Sequence, residues 1–396
     1  MKVIAGSILW YIYTYYYTER STSDAFRFFD DAKVVHQALF EDPVSYFKLL
    51  FGYDLNDPSL QKYILRTFNW EKEYNYFLYN DSRTMIRFNT VCMLFSFGNY
   101  HVHTIIMSML SFIGSIYLFK TFYTFLSDKK YLLMLGVFCV PSVVFYTSGV
   151  LKEGILIAGI GFFFYAIFNL TKSYKKPKYW LLFFLSIFIL MTMKIYVLFC
   201  LVPAVVYYVS SQKILKSKSL VLFLLFNVIV FTGLLIISEI RPDWDIFYLL
   251  YKKKDDFTHV AMQYEAGSFI TTPDLWPNPI SFLRYIPFAV YTVIMRPYLW
   301  ESGSALIKFA AIENILLLIS MIVPFFVWKQ KSPEEKRIIY FLLLFILYLY
   351  ILVGFTTPVL GALSRYKVPG LPFIIIIALF LIDSAKLKKF LPFKHL

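Results

Sequence analysis

The feature that most constrains this chain is a series of apolar runs, each long enough to cross a bilayer, separated by lysine clusters. A helix needs about 17–25 apolar residues to span roughly 30 Å of hydrocarbon. Runs of that kind cover roughly residues 3–18, 102–125, 131–148, 151–170, 178–194, 195–211, 219–238, 305–328, 338–355 and 368–384. They consume most of the 396 residues. The sequence therefore predicts an all-α polytopic membrane protein: one membrane domain, residues 1–396, of about ten transmembrane helices. Composition agrees, with 59% hydrophobic and 16% charged residues, where soluble chains carry about 25% charged.

The lysines set an orientation. Lys120, Lys129 and Lys130 follow the second run, and Lys172, Lys175, Lys176 and Lys178 the fourth. Lys213, Lys216 and Lys218 follow the sixth, Lys329, Lys331, Lys336 and Arg337 the eighth, and Lys386, Lys388, Lys389 and Lys394 the tenth. Every even-numbered exit is basic, so the positive-inside rule places these clusters and both termini in the cytoplasm. The first run follows Met1 and Lys2 without a small-residue cleavage site and reads as an uncleaved span. The net charge of +14 is explained by these clusters, which form no continuous basic face, and no nucleic-acid partner is expected.

Two further apolar stretches, roughly 86–98 and 281–299, are not read as spans. The first is short and interrupted by polar residues; the second carries Arg284, Pro287, Arg296 and Pro297. Counting both would invert the segments between them and put basic clusters outside. They are expected instead as helices lying on the outer surface or dipping into it. Two large outer segments follow, 19–101 and 239–304, rich in Trp, Tyr and Phe as befits structure resting on the headgroup layer. Cys92, Cys139 and Cys200 show neither metal spacing nor a disulfide framework. His101 and His103 suit an interfacial or packing role better than ligation.

Ionisable groups at membrane depth are costly and are candidate functional residues. In this topology four places stand out, all on the outer side. Asp24 and Asp31 lie in Ser23-Asp24-Ala25-Phe26-Arg27-Phe28-Phe29-Asp30-Asp31, just after the first run; there Ser23 or Asp24 would equally serve as a helix cap. Lys152 and Glu153 open the fourth run after a tight turn from Pro141-Ser142, either as a self-neutralised pair at a helix start or as working groups. Lys194 sits between two runs with almost no loop, where it could snorkel. Arg365, Tyr366 and Lys367, in Ser364-Arg365-Tyr366-Lys367-Val368-Pro369-Gly370-Leu371-Pro372, enter the last run against the charge bias and suit an anionic partner or an anchor. Arg296 and Glu301 form a weaker candidate of the same kind. Carboxylates that take a proton from a hydroxyl, with cations that hold a departing phosphate, suit sugar transfer from a polyprenyl-phosphate donor.

The order of these features resembles the GT-C superfamily of membrane glycosyltransferases, which includes protein O-mannosyltransferases and lipid A aminoarabinose transferases. Asp24 after the first span, the surface helix from Arg87 to Phe97, Pro141-Ser142 followed by Glu153, and Arg365-Tyr366-x-x-Pro369-x-x-Pro372 are similar to the family's pattern, over roughly residues 1–210 and the last thirty. Ala25, where many relatives have a second acid, and Lys152 beside Glu153 depart from it. The resemblance implies a GT-C-like fold and Asp24 as general base or metal ligand. It implies Glu153 positioning the acceptor or sharing a divalent cation (Mg or Mn) with Asp24. Arg365, with Lys194, Arg296 or Lys152, would then grip the donor phosphate. The expected partners are a lipid-linked sugar donor, an acceptor glycan, lipid or protein, and membrane lipids. The expected location is a bacterial inner membrane with the active site facing the periplasm. A polysaccharide polymerase or ligase, or a lipid-glycan flippase, is the alternative reading.

Overall fold

Apolar runs become helices because, inside hydrocarbon, each backbone N–H and C=O must find its partner within its own segment. The structure, a computed structural model, describes residues 1–17, 19–71, 80–213, 219–263, 265–301 and 303–390. Lys216, Lys218 and Lys394 of the predicted basic clusters, and residues 72–79 of the first predicted outer segment, lie outside them. In chain order the helices are α1 (Lys2–Tyr15), α2 (Asp24–Glu41), α3 (Pro43–Phe51), α4 (Gln61–Ile64), α5 (Asp81–Ser96), α6 (Tyr100–Tyr123), α7 (Lys130–Phe138), α8 (Pro141–Tyr146) and α9 (Lys152–Leu170). They continue with α10 (Pro177–Lys213), α11 (Ser219–Ile240), α12 (Ile246–Gln263), α13 (Pro279–Met295), α14 (Ala305–Phe326), α15 (Pro333–Thr356), α16 (Leu360–Tyr366), α17 (Leu371–Leu381) and α18 (Ser384–Phe390). Extended pairing among the described residues is confined to isolated bridges such as Phe269–Val359 and Trp328–Ile382.

Among the described residues, seven helical segments are long and apolar enough to cross a membrane: Tyr100–Tyr123, Lys152–Leu170, Pro177–Gln212, Ser219–Ile240, Ala305–Phe326, Pro333–Thr356 and Leu360–Leu381. The chain is an all-α polytopic membrane protein on this ground. Ser219–Ile240 makes the point most clearly: its mean hydropathy is 2.9, yet only 6% of its most apolar window is buried by protein. So much bare apolar surface calls for hydrocarbon around it rather than water.

The difference from the expected ten arises in three places. Helix α1 has 14 residues, about 21 Å at 1.5 Å per residue, and falls short of a full crossing. The run 131–148 is broken into α7 and α8, because Pro141 cannot donate an N–H and disfavours helical geometry at the residue before it. The runs 178–194 and 195–211 join in the 37-residue α10, interrupted at Lys194 (φ −153°, ψ 83°). That length, about 55 Å if straight, is still enough for two crossings.

The chain divides into two compact units. Unit one comprises Met1–Thr121 and Val143–Ile195; unit two comprises Phe122–Ser142 and Tyr196–Leu396. In unit one, α6 and α9 run parallel, with Gly114 against Gly161 and Tyr117 against Tyr165. A Cβ on Gly161 would collide with the Gly114 carbonyl, so the two backbones touch there and only glycine fits. The first half of α10 runs antiparallel to α9, pairing Phe183 with Phe163 and Lys194 with Glu153. The basic exits after α6 and α9 thus share one end of unit one, as the alternation of lysines predicts. Helix α1 covers only the other half of α6: Lys2 is buried against Ser111 and Thr147, and Trp10 meets His101.

The described residues of the first predicted outer segment gather at the end of unit one where α9 begins. Helices α2, α3 and α5 form an apolar core there with Phe26, Phe28, Phe29, Trp70 and Met85. His103 is buried between Ser96 and Asn89, each 2.8 Å from a ring nitrogen, the packing role expected of it.

In unit two, α7 and α17 run antiparallel: Gly136 meets Ile375, and Asp128 meets Ser384. Helix α15 runs parallel to α11 and antiparallel to the second half of α10, through Tyr340 with Phe223, Tyr348 with Asn227, and Phe341 with Tyr208. Helix α13 starts beside Phe355 and ends beside Asn314.

Candidate functional site

In unit one the candidates converge on the entry to α9. Residues Thr147–Leu151 make a buried turn in which Gly149 lets Leu9 pack closely, and Leu151 is extended before the helix begins. Glu153 is fully buried (0% exposed), and its Oε1 accepts from Lys194 Nζ at 2.9 Å; Lys194 is 6% exposed. Lys194 sits at the interruption of α10, and it turns inward to a carboxylate instead of snorkelling. Lys152 Nζ lies 2.8 Å from Asp81 Oδ2, donates to Ser82 Oγ at 3.2 Å, and stands 5.1 Å from the Phe28 ring centre. The adjacent Lys152 and Glu153 therefore do not neutralise each other: each is answered by a different helix.

Asp24 is the first residue of α2. Ser23 occupies the cap position but makes no side-chain cap bond. A carboxylate in this first turn suits the positive end of the helix dipole. Ala25 packs in one apolar cluster with Leu9 and Leu151. Phe28, one turn on and on the same face as Asp24, is the ring beside Lys152. The structure thus brings the turn carrying Asp24 beside the turn carrying Lys152 and Glu153.

Asp31, named with Asp24 in the sequence, has a structural position. It is 1% exposed, and its two oxygens accept from Phe68 N at 2.7 Å and Asn69 N at 2.8 Å. Burial raises its carboxyl to about 6, against the opposing pull of those two N–H donors.

The remaining candidates belong to unit two. Arg296 pairs with Glu301 at 3.1 Å. Lys367 is buried, and its Nζ donates to Arg296 O and to Asn314 Oδ1, both at 3.0 Å. Arg365 and Tyr366, at the end of α16, are half-buried. Arg296, Glu301 and Lys367 are thus brought together, Lys367 through the Arg296 carbonyl. A small cavity beside Lys367 is lined by Asn314, Tyr350 and Lys367 among its polar groups and by Val293, Leu317 and Leu371 among its apolar ones.

Glu313, one residue from Asn314, escaped sequence reading because it is a single acid in the apolar run of α14. It is buried, and its Oε2 accepts from Ser142 N at 2.5 Å. It holds the start of α8 at the break made by Pro141. Asp81 and Ser82 were missed as well, since nothing local announces a partner some seventy residues away.

Among the described residues no group of three or more His, Cys, Asp or Glu side chains is placed to hold a metal ion, and Glu153 is already engaged by Lys194. Comparison of the chain with protein-family profiles, with curated proteins and with solved structures gives no match.

Proposed function

We propose that this protein is a GT-C-type glycosyltransferase that moves a sugar from a polyprenyl-phosphate donor to an acceptor hydroxyl, at the outer face of a bacterial inner membrane. The observation that carries the proposal is the buried Glu153–Lys194 pair beside the turn that bears Asp24. Charges at membrane depth are expensive and are retained where function uses them. In the proposed reaction Asp24 takes the proton of the acceptor hydroxyl as its oxygen attacks the sugar's anomeric carbon. The bond from that carbon to the phosphate oxygen breaks, and the lipid phosphate leaves with the electron pair. Lys194 fixes Glu153 through its hydrogen bond, so that Glu153 orients the acceptor. Lys152, in the same unit and beside the Phe28 ring, is the cation to which the family resemblance gives the donor phosphate.

The test is transfer of labelled sugar from a lipid-linked donor in membranes carrying Asp24→Asn or Glu153→Gln protein. Both variants should insert normally and lose transfer. Normal activity in both would remove the assignment.

A flippase remains the second reading because two observations favour it. The α7–α8 path is broken at Pro141 with Glu313 at the break, and α10 is interrupted at Lys194. Discontinuous helices beside charged side chains are frequent in transporters. Movement of a lipid-linked sugar across vesicles, abolished by Glu313→Gln but insensitive to Asp24→Asn, would favour that reading over transfer.

A further inference from the structure

At the lysine-rich end of unit two, three segments far apart in sequence are laced together. Lys329 N donates to Leu381 O at 3.0 Å and Asp383 N to Val327 O at 2.7 Å. Ser384 Oγ donates to an Asp128 carboxylate oxygen. The lacing brings Lys129, Lys329, Lys331 and Lys386 into one patch.

The acids of this patch are already engaged. Asp128 is met by Ser384 and, at 3.5 Å, by Lys129. Glu335 accepts from Lys329 Nζ at 2.7 Å and from Ser332 N at 2.8 Å. Asp383 Oδ1 accepts from Ala385 N and Lys386 N at the start of α18. Lys331 is met differently. Only 9% exposed, its Nζ lies 3.8 Å from the Trp328 ring centre and 3.1 Å from Leu381 O. Lys386 Nζ reaches Trp328 O at 3.2 Å. Burial pulls the Lys331 ammonium down to about 8; Lys329 and Lys129 add to the pull, and Glu335 opposes it. An anion placed here would relieve that cost.

Apolar surface continues directly from the cations. Phe325 and Phe326, in the last turn of α14, are exposed just before Trp328, and Tyr131, Met134 and Leu135 are exposed on α7 just after Lys129 and Lys130. Trp328 itself is half exposed, as a side chain at headgroup depth is.

We propose that this patch binds an anionic phospholipid, with Lys331 and Lys386 on its phosphate, Trp328 at headgroup level, and its acyl chains along the exposed ends of α7 and α14. Charge complementarity selects an anion, and the adjoining apolar surface selects a lipid over a free phosphate. The site is independent of sugar transfer.

The test uses the full chain purified in an uncharged detergent, with the thermal unfolding midpoint as readout. Short-chain phosphatidylglycerol, short-chain phosphatidylcholine and inorganic phosphate are the three additions. Phosphatidylglycerol should raise the midpoint clearly more than either of the others. Lys331→Gln should remove most of that difference, Lys331→Arg should keep it, and Lys386→Gln should reduce it. Lys386 is exposed, so its variant decides the matter even where Lys331→Gln fails to fold. Equal shifts from phosphatidylcholine or phosphate, or a full phosphatidylglycerol shift in Lys386→Gln, would overturn the proposal.

Discussion

Both units carry charged side chains into apolar surroundings, and they satisfy them by different means. At the entry to α9, unit one sets charge against charge, Glu153 against Lys194 and Asp81 against Lys152, while its Asp31 is met by backbone N–H groups. Unit two meets its buried charges with backbone and amide groups: Glu313 with Ser142 N, and Lys367 with Arg296 O and Asn314 Oδ1. The second arrangement has an evident structural task, since Glu313 satisfies an N–H beside the proline break. A buried ion pair is different. Well-packed apolar side chains often fill such a place at equal or better stability, and the sugar transfer proposed above would give the unit-one pair a task beyond packing.

The largest expected effect tests that contrast in unit one. Lys194→Met leaves Glu153 buried without its cation and should cost about 3–5 kcal/mol of stability. Adding Glu153→Met should restore most of it while sugar transfer stays absent. Thermal or denaturant unfolding in detergent measures the first part, and a transfer assay the second. A double variant as unstable as the single one would mean that the pair is structural after all.

A smaller effect is expected in unit two. Glu313→Leu leaves the Ser142 N–H without its acceptor and should cost about 1–3 kcal/mol, whereas Glu313→Gln retains an acceptor and should cost less. Equal losses in the two variants would show that the charge of Glu313, and not its acceptor oxygen, is what matters, and the contrast between the units would weaken.

Asp31 supplies the smallest test. Asp31→Asn turns an amide N–H₂ toward a backbone N–H that now finds a carboxylate, at a cost of about 1–2 kcal/mol, with transfer by the folded protein unchanged. Its folded carboxyl lies at about 6, above the ordinary 3.8. A raised pKa means that the folded state holds the proton more tightly, so this contribution to stability is full below pH 3.8 and is lost as pH rises through 6. The variant lacks that slope, which stability measured across this range would reveal.

What was legible in the sequence follows from what local pattern encodes. Apolar runs announced the membrane class, and in each unit basic exits lie together: Lys120 with the 172–178 cluster, and Lys129 with Lys329, Lys331 and Lys386. The count of crossings was harder. Apolarity does not distinguish a run that Pro141 breaks from one that continues, nor a tyrosine-rich start that stops being helical at Tyr15. Lys152 and Glu153 were legible as unusual because charge at a helix mouth is rare in such a chain. Their partners were not, because Asp81 and Lys194 are chosen by packing across long stretches of sequence. Glu313 was hidden by its own surroundings: one acid barely lowers the hydropathy of a long apolar run, yet tertiary structure gives it a backbone partner.

The central claim is that the acids at the entry to α9 and at the start of α2 perform sugar transfer. It is tested most directly by single-turnover transfer from a lipid-linked sugar donor by purified wild-type, Asp24→Asn and Glu153→Gln protein, each first shown to be folded and membrane-inserted. Loss of general-base action predicts a fall of about 10²–10⁴-fold in the Asp24→Asn variant, with donor binding retained. Transfer at the wild-type rate by folded Asp24→Asn and Glu153→Gln protein would contradict the account.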